Sequence, residues 1–270
     1  MTSDKAQLTA RFDGLRKLYG TDAFRRLAHA HVLIVGLGGV GSWAAEALAR
    51  SGLGALTLID GDDVCVSNVN RQLHALDGTI GKRKVEVMAD RIRAINPKCR
   101  VTAVAEFFHL NTVEKHLAEK YDYAIDAIDG VTAKATLIGS CHERKIPVIT
   151  CGGAGGKIDP LRIQIADLAE TNSDRLLMFV RKKLRRLYKF PPAGHKFGVP
   201  CIFSPETVRL PQGEACAAEP REEDAAIFGD AQTRLACDGR LGSATFVTGA
   251  FGFAVAAHVI NHLAAEQKRG

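Results

Sequence analysis

The chain has 270 residues, 46% hydrophobic and 24% charged, with 26 Gly and 9 Pro, a globular composition that excludes a disordered or collagen-like polymer. Lys and Arg exceed Asp and Glu by 36 to 30, and a net charge of +6 is too small to define a polyanionic partner by itself. The seven cysteines (65, 99, 141, 151, 201, 216 and 237) are scattered without a CxxC pair, which excludes a disulfide scaffold and a four-cysteine zinc site and fits a reducing cytoplasm.

The opening stretch MTSDKAQLTARFDG has no apolar signal core, so export is not expected. Residues 31–36, HVLIVG, form an apolar, β-branched run closed by glycine, the pattern of a strand buried on both faces. A helix follows at 40–51, with Trp43, Ala44, Ala47 and Leu48 at helical spacing and Gly52 as its stop. The spacing then predicts a strand at 55–60, a helix at 82–95, a strand at 100–105 and a helix at 112–119. A strand at 121–126, a helix at 132–144 and a strand at 147–151 complete the alternation. After Gly156 the rhythm changes to a strand at 161–168, a basic helix at 172–188, a strand at 202–210 and a polar, acidic stretch at 211–234. The run 241–265 is nearly uncharged and long enough to raise the question of a membrane span. Its modest hydrophobicity and its polar His258, Asn261 and His262 favour a core helix on the sheet, with membrane association as the alternative.

This order predicts an α/β fold: a doubly wound, mainly parallel Rossmann-like sheet with helices on both faces and a C-terminal strand/helix extension. One continuous domain is expected, in three stretches. These are an N-terminal helical arm (1–30), a nucleotide-binding core (31–160), and an extension (161–270) with the basic helix, an acidic mobile loop and the apolar closing helix.

GLGGVG, with Gly36, Gly38, Gly39 and Gly41, lies between a predicted strand and helix, where bare amides and the helix N-terminus receive phosphate. Asp60, at the tip of the second strand, is placed for a ribose hydroxyl. NAD enzymes share this framework, so these residues alone leave hydride transfer and ATP chemistry both open. SNVNRQ (67–72), GKRKVE (81–86) and DAID (126–129) fall at or beyond strand carboxyl ends and favour ATP. Arg71 and Lys84 can neutralise phosphate charge, and Asp129 can hold Mg²⁺ against phosphate oxygens.

With these strings in this order, residues 10–160 resemble the ATP-dependent adenylating fold of ubiquitin-activating enzymes and the sulfur-carrier adenylyltransferases of the MoeB and ThiF type. The resemblance implies that ATP and Mg²⁺ convert a carboxylic acid into an acyl-adenylate with loss of pyrophosphate. It assigns ribose to Asp60, the phosphates to Asn70, Arg71 and Lys84, with Asn68 as near as Asn70, and the metal to Asp129. It also implies a homodimer in which an N-terminal arginine reaches the partner's ATP; Arg11 and Arg16 are the candidates, with Arg16 preferred.

WAAEALARSG, LIDGDDVCVSN, RQLHAL, GGAGGKIDP and the apolar C-terminal run extend the resemblance over nearly the whole chain to the tRNA threonylcarbamoyladenosine dehydratase subgroup. It implies that the acid is the threonine carboxylate of N6-threonylcarbamoyladenosine in tRNA. Adenylation makes AMP the leaving group, and the neighbouring carbamoyl group closes a ring with net loss of water. No zinc is expected. Cys237 stands where the subgroup has a cysteine able to accept sulfur, implying a cysteine desulfurase or sulfur-acceptor partner, although ring closure needs no thiol. Residues 175–190 carry seven bases and no acid. Lys182, Lys183, Arg185 and Arg186 suit tRNA phosphates, with Tyr188 or Phe190 able to stack on a base, above an apolar underside of Leu176, Leu177, Val180, Leu184 and Leu187. The glycine run 152–156 suits a wall of the acceptor pocket. The alternatives are activation of a sulfur-carrier protein ending in Gly-Gly, a nucleotide-gated scaffold for a sulfur relay and, most distantly, an NAD oxidoreductase.

Overall fold

The computed structural model describes residues 10–210 and 241–265. Two short helices, α1 (Asp13–Tyr19) and α2 (Thr21–His29), lead into the sheet. Gly20, at φ +86°, makes the break between them. Then come β1 (His31–Val35), α3 (Gly41–Arg50), β2 (Ala55–Ile59), α4 (Lys84–Ile95), β3 (Arg100–Val104), α5 (Val113–His116), β4 (Tyr123–Asp126), α6 (Val131–Glu143) and β5 (Val148–Cys151). The extension supplies β6 (Gln164–Asp167), α7 (Arg175–Tyr188), β7 (Pro200–Phe203) and α8 (Thr245–Ala264).

One sheet runs in the order β3-β2-β1-β4-β5-β7-β6, parallel except for β6, which is antiparallel to β7. This is the expected doubly wound arrangement, and the extension continues the same sheet. β1 is buried throughout because alternate residues serve opposite faces. Ile34 pairs in register with Leu58 and Ile125, and all three join the core layer of α3, α4 and α8. Leu33 is level with Ala124, and both face the layer of α6 and α7. Each buried Leu or Ile side chain removed from water contributes roughly 1.5–3 kcal/mol.

The extension departs most from the expected boundaries. Asp159 accepts from Leu161 N at 2.9 Å, so residues 160–162 make a 3₁₀ turn and the strand starts only at Gln164. Asp174 accepts from Leu177 N at 3.0 Å and starts α7 there rather than at 172. The strand expected at 202–210 stops at Phe203, because Ser204 O is taken by Lys157 and Glu206 turns to the amides of Ile158 and Asp159. The helix expected at 112–119 shrinks to Val113–His116 behind a 3₁₀ turn. Leu187, expected on the buried underside of α7, is 54% exposed.

Helix α8 is long and apolar enough to cross a membrane by length and composition, with mean hydropathy 1.4. In the fold it packs against α3. A Cβ at Gly252 would meet Val40 O at 2.6 Å and Trp43 Cβ at 2.7 Å, so glycine lets the helices touch. Val247, Phe251, Val255 and Val259 are buried.

Candidate active site

The glycine loop joins β1 to α3 at the carboxyl edge of the sheet. Gly36 has φ +91°, and a Cβ there would lie 2.6 Å from Ala127 O; one at Gly41 would lie 1.8 Å from Gly36 O. These two glycines are required by the turn itself. Around Gly38 no atom lies within 4 Å of the Cβ position, and Gly39 is backed by Thr248 of α8 and by Arg71. The middle of the loop is therefore open for a ligand.

Asp60, just beyond β2, ties the loop to the sheet. One carboxylate oxygen accepts from Leu37 N at 2.6 Å and the other from Asp62 N at 2.9 Å. Burial raises its pKa, against the nearby Lys84 charge.

Lys84 arrives from far along the chain because residues 62–64 pair with 81–84. Val64 N donates to Lys82 O and Gly81 N to Val64 O, each at 2.8 Å, and Lys84 N donates to Asp62 O at 3.1 Å. This sets Lys84 at the first position of α4, 5% exposed, with its ammonium 2.7 Å from Asp62 Oδ2. Asp129 lies in the turn between β4 and α6. Its surface reaches solvent, yet surrounding atoms desolvate the carboxyl and raise its pKa; the Asp62 charge adds to this and Lys84 opposes it. Asp60, Asp62, Lys84 and Asp129 thus form one electrostatic cluster beside the glycine loop. The turn is braced from beneath by the fully buried pair Lys134–Asp126, 2.8 Å apart, with Thr150 on the same carboxylate and Ile128 N on its other oxygen.

Arg71 is brought to this rim by a double clamp. Its carbonyl accepts from Trp43 Nε1 at 3.1 Å and Thr248 Oγ1 at 3.3 Å, and its guanidinium donates to Ser67 O and to Asn70 Oδ1. Asn68 and Asn70 separate cleanly. Asn68 is buried and accepts from Cys65 N, closing its own turn. Asn70 is exposed and donates to Ser243 O at 2.9 Å, and its carbonyl accepts from Thr245. The start of α8, with Ser243 just before it, thereby holds Asn70 and Arg71.

Sequence reasoning missed Asp62, His74 and these α8 clamps. Asp62 had a readable signal, a further acid in Asp60-Gly-Asp-Asp63; the clamps had none. His74 is 1% exposed, and burial with the Lys84 charge pushes its pKa down to about 4.

The N-terminal arginines part company as well. Arg11 donates to Ala94 O and Ile95 O, capping the end of α4, whereas Arg16 is held by Asp13 on its own helix. On α7, Lys182 and Arg186 are exposed. Lys183 donates to Thr132 Oγ1 at 2.6 Å, and Arg185 donates to Pro191 O and lies 5.0 Å over the Phe197 ring. The stacking role expected of Phe190 is overturned: it is buried against His142 and Phe197 because the chain turns inward after α7. Tyr188 is packed on Gly139. The outward bases are Arg175, Lys182, Arg186 and Lys189, with Phe179 beneath Lys182 at 5.7 Å. Burial pushes the thiols of Cys99 and Cys151 up to about 11 and that of Cys141 up to about 12, leaving them inert. Cys237 and the acidic stretch 211–234 lie outside the described residues.

The chain is similar to known proteins over nearly its whole length. Residues 13–268 match the ThiF family. The chain is 47% identical over 262 residues to the tRNA threonylcarbamoyladenosine dehydratase of Escherichia coli K12, covering 96% of this chain and 95% of that one. The crystal structure of E. coli TcdA in complex with ATP superposes with a TM-score of 0.83 at 44% identity, covering 97% of this chain and 96% of that one. The complex of the same protein with AMP also gives 0.83, at 45% identity and 97% coverage of both chains.

Proposed function

The chain belongs to the ThiF family, and we propose that it is an ATP-dependent tRNA threonylcarbamoyladenosine dehydratase. The observation that carries this reading is the likeness to a dehydratase over 96% of the chain, extension included. The nucleotide half alone would fit any carboxylate-adenylating relative; the extension, free of CxxC pairs and continuous with the same sheet, narrows the choice.

The threonine carboxylate of the modified base attacks the α-phosphorus of ATP and pyrophosphate leaves. The carbamoyl group then attacks the acyl carbon and AMP leaves. The open amides around Gly38 and Gly39 and the N-terminus of α3 receive the phosphates, between the fixed turn residues Gly36 and Gly41. Asp60, already oriented by Leu37 N, takes the ribose. Lys84 leaves Asp62 for the phosphates, and Arg71 with Asn70 also binds them, offsetting charge that develops on the leaving group. Mg²⁺ suits Asp129 with Asp62 near: among the described residues no three His, Cys, Asp or Glu converge on one point, and Mg²⁺ takes one or two carboxylates and fills its sphere from phosphates and water. When bound, it neutralises phosphate charge.

In a cytoplasmic homodimer, Arg16 exchanges Asp13 for the other subunit's ATP. Lys182 and Arg186 line the tRNA backbone, with Lys183 and Arg185 contributing positive field from their anchored positions. Cys237 serves sulfur transfer from a desulfurase partner without entering ring closure.

The test is incubation with ATP, Mg²⁺ and threonylcarbamoylated tRNA, followed by digestion and mass analysis of the nucleosides. The modified nucleoside should lose the mass of one water. ATP binding without that loss would overturn the reading, and turnover that requires a Gly-Gly carrier protein would replace it.

A further inference from the structure

The glycine run 152–156 rests on a buried polar scaffold that the nucleotide chemistry does not use. Lys157 is 2% exposed, and its ammonium donates to Ser204 O at 2.6 Å. Glu206, 6% exposed, accepts from Ile158 N at 2.7 Å and Asp159 N at 3.0 Å. Asp174, 8% exposed, accepts from Gly153 N at 2.9 Å while capping α7. Burial lowers the Lys157 pKa, and the Asp174 and Glu206 charges oppose that shift. Withdrawing three charged side chains from water at one place is expensive. An apolar filling would serve bulk stability better, so the arrangement calls for a role in placing the backbone it holds.

That backbone is linked directly to the nucleotide rim. Gly156 N donates to Gly242 O and Arg209 N to Gly156 O, each at 2.7 Å. A Cβ at Gly155 would lie 3.1 Å from Leu241. Ser243, which follows Gly242, accepts from Asn70 through its carbonyl. The segment 241–243 therefore touches the glycine run on one side and the phosphate-facing Asn70 on the other. The turn that carries Asp129 and the glycine run leave adjacent parallel strands, β4 and β5, at their carboxyl ends.

Two reactions compete for an acyl-adenylate. In ring closure the carbamoyl group bonds to the acyl carbon and loses its N–H proton, while the acyl–oxygen bond to AMP breaks and AMP leaves with the electron pair. In hydrolysis water supplies the oxygen, and the products are the starting acid and AMP. Both release AMP and only the first makes the ring, so the acceptor side must keep water away from the acyl carbon. Resting on the dehydratase reading, we propose that Lys157 is a positioning residue that, with Glu206, holds the glycine run as the water-excluding wall of the acceptor pocket.

The experiment measures AMP released per ring closed, with ATP, Mg²⁺ and threonylcarbamoylated tRNA. The wild-type ratio is expected close to one. Lys157→Met should raise it by about threefold or more through admitted water, with ATP affinity changed by less than about twofold. Lys157→Arg, which restores a buried donor, should recover most of the coupling. Glu206→Gln is measured in parallel, so the result stands even where Lys157→Met does not fold. Loss of folded protein lowers both products equally and leaves the ratio alone. A wild-type ratio in the folded variants would overturn the inference. AMP release by the wild type with no ring at all would overturn the dehydratase reading and this inference with it.

Discussion

Two glycine-rich loops leave parallel strands at the same edge of the sheet, and they are built for opposite purposes. In 36–41 the outer glycines are packed to contact, since a Cβ at Gly41 would lie 1.8 Å from Gly36 O, while Gly38 faces open space and a helix begins at once. In 152–156 the run continues into buried Lys157 and is held from behind by Glu206 and Asp174. The first loop leaves its middle open at the start of a helix, and the second presents a surface backed by buried charge. Glycine content makes both possible; the next element in the chain, a helix N-terminus or a buried lysine, decides the use of each.

The contrast is tested most severely by removing the charges that belong to the first loop alone. Lys84→Met or Asp129→Ala should lower turnover by roughly 10²–10³-fold. Asp129→Ala should melt near the wild type, since its carboxyl is held in a partly desolvated setting. Normal turnover measured by nucleoside mass analysis would refute the assignments.

Among the glycines, Gly41→Ala should destabilise the fold by about 3 kcal/mol, because its methyl group meets backbone. Gly38→Ala meets nothing in the protein and should leave the Tm unchanged while weakening ATP by about tenfold. Thermal melts and ATP titration of both variants separate turn geometry from ligand contact. Equal effects of the two on Tm would erase the distinction.

His74 gives a pH test of the cluster behind Lys84. Its folded pKa of about 4 lies below the ordinary 6.5, so the unfolded chain takes up the proton first as pH falls. This contribution is complete above pH 6.5 and is lost progressively down to about 4, where the loss reaches roughly 3 kcal/mol. Urea unfolding at pH 7 and pH 4 should show His74→Gln losing less of its stability than the wild type over that interval. The same fall in both would remove His74 from the account. The smallest effect is expected on α7. Lys182→Ala with Arg186→Ala should reduce the salt dependence of tRNA binding by about two ion equivalents, and an unchanged slope would take RNA off that face.

The alternation of strands and helices and the glycine loop were legible because residues 31–151 obey local rules: short apolar runs, helical spacing and strand-end acids. Asp60, Lys84 and Asp129 could be placed because each sits at a strand end or just inside a helix. The extension was less legible because its boundaries are set by side chains distant in sequence. Lys157 removes Ser204 from a strand, and the different settings of Asn68 and Asn70 are fixed by Cys65 and Ser243. Phe190 looked like a stacking platform because nothing in its neighbours reveals that the chain turns into the core beyond α7.

The chemistry proposed for this pocket rests on making the threonine carboxylate electrophilic by joining it to AMP. It can be followed with tRNA whose threonylcarbamoyl carboxylate carries a heavy-oxygen label. One labelled oxygen should leave with AMP as the base loses a water. Unlabelled AMP, or ADP and inorganic phosphate in its place, would contradict acyl-adenylate formation.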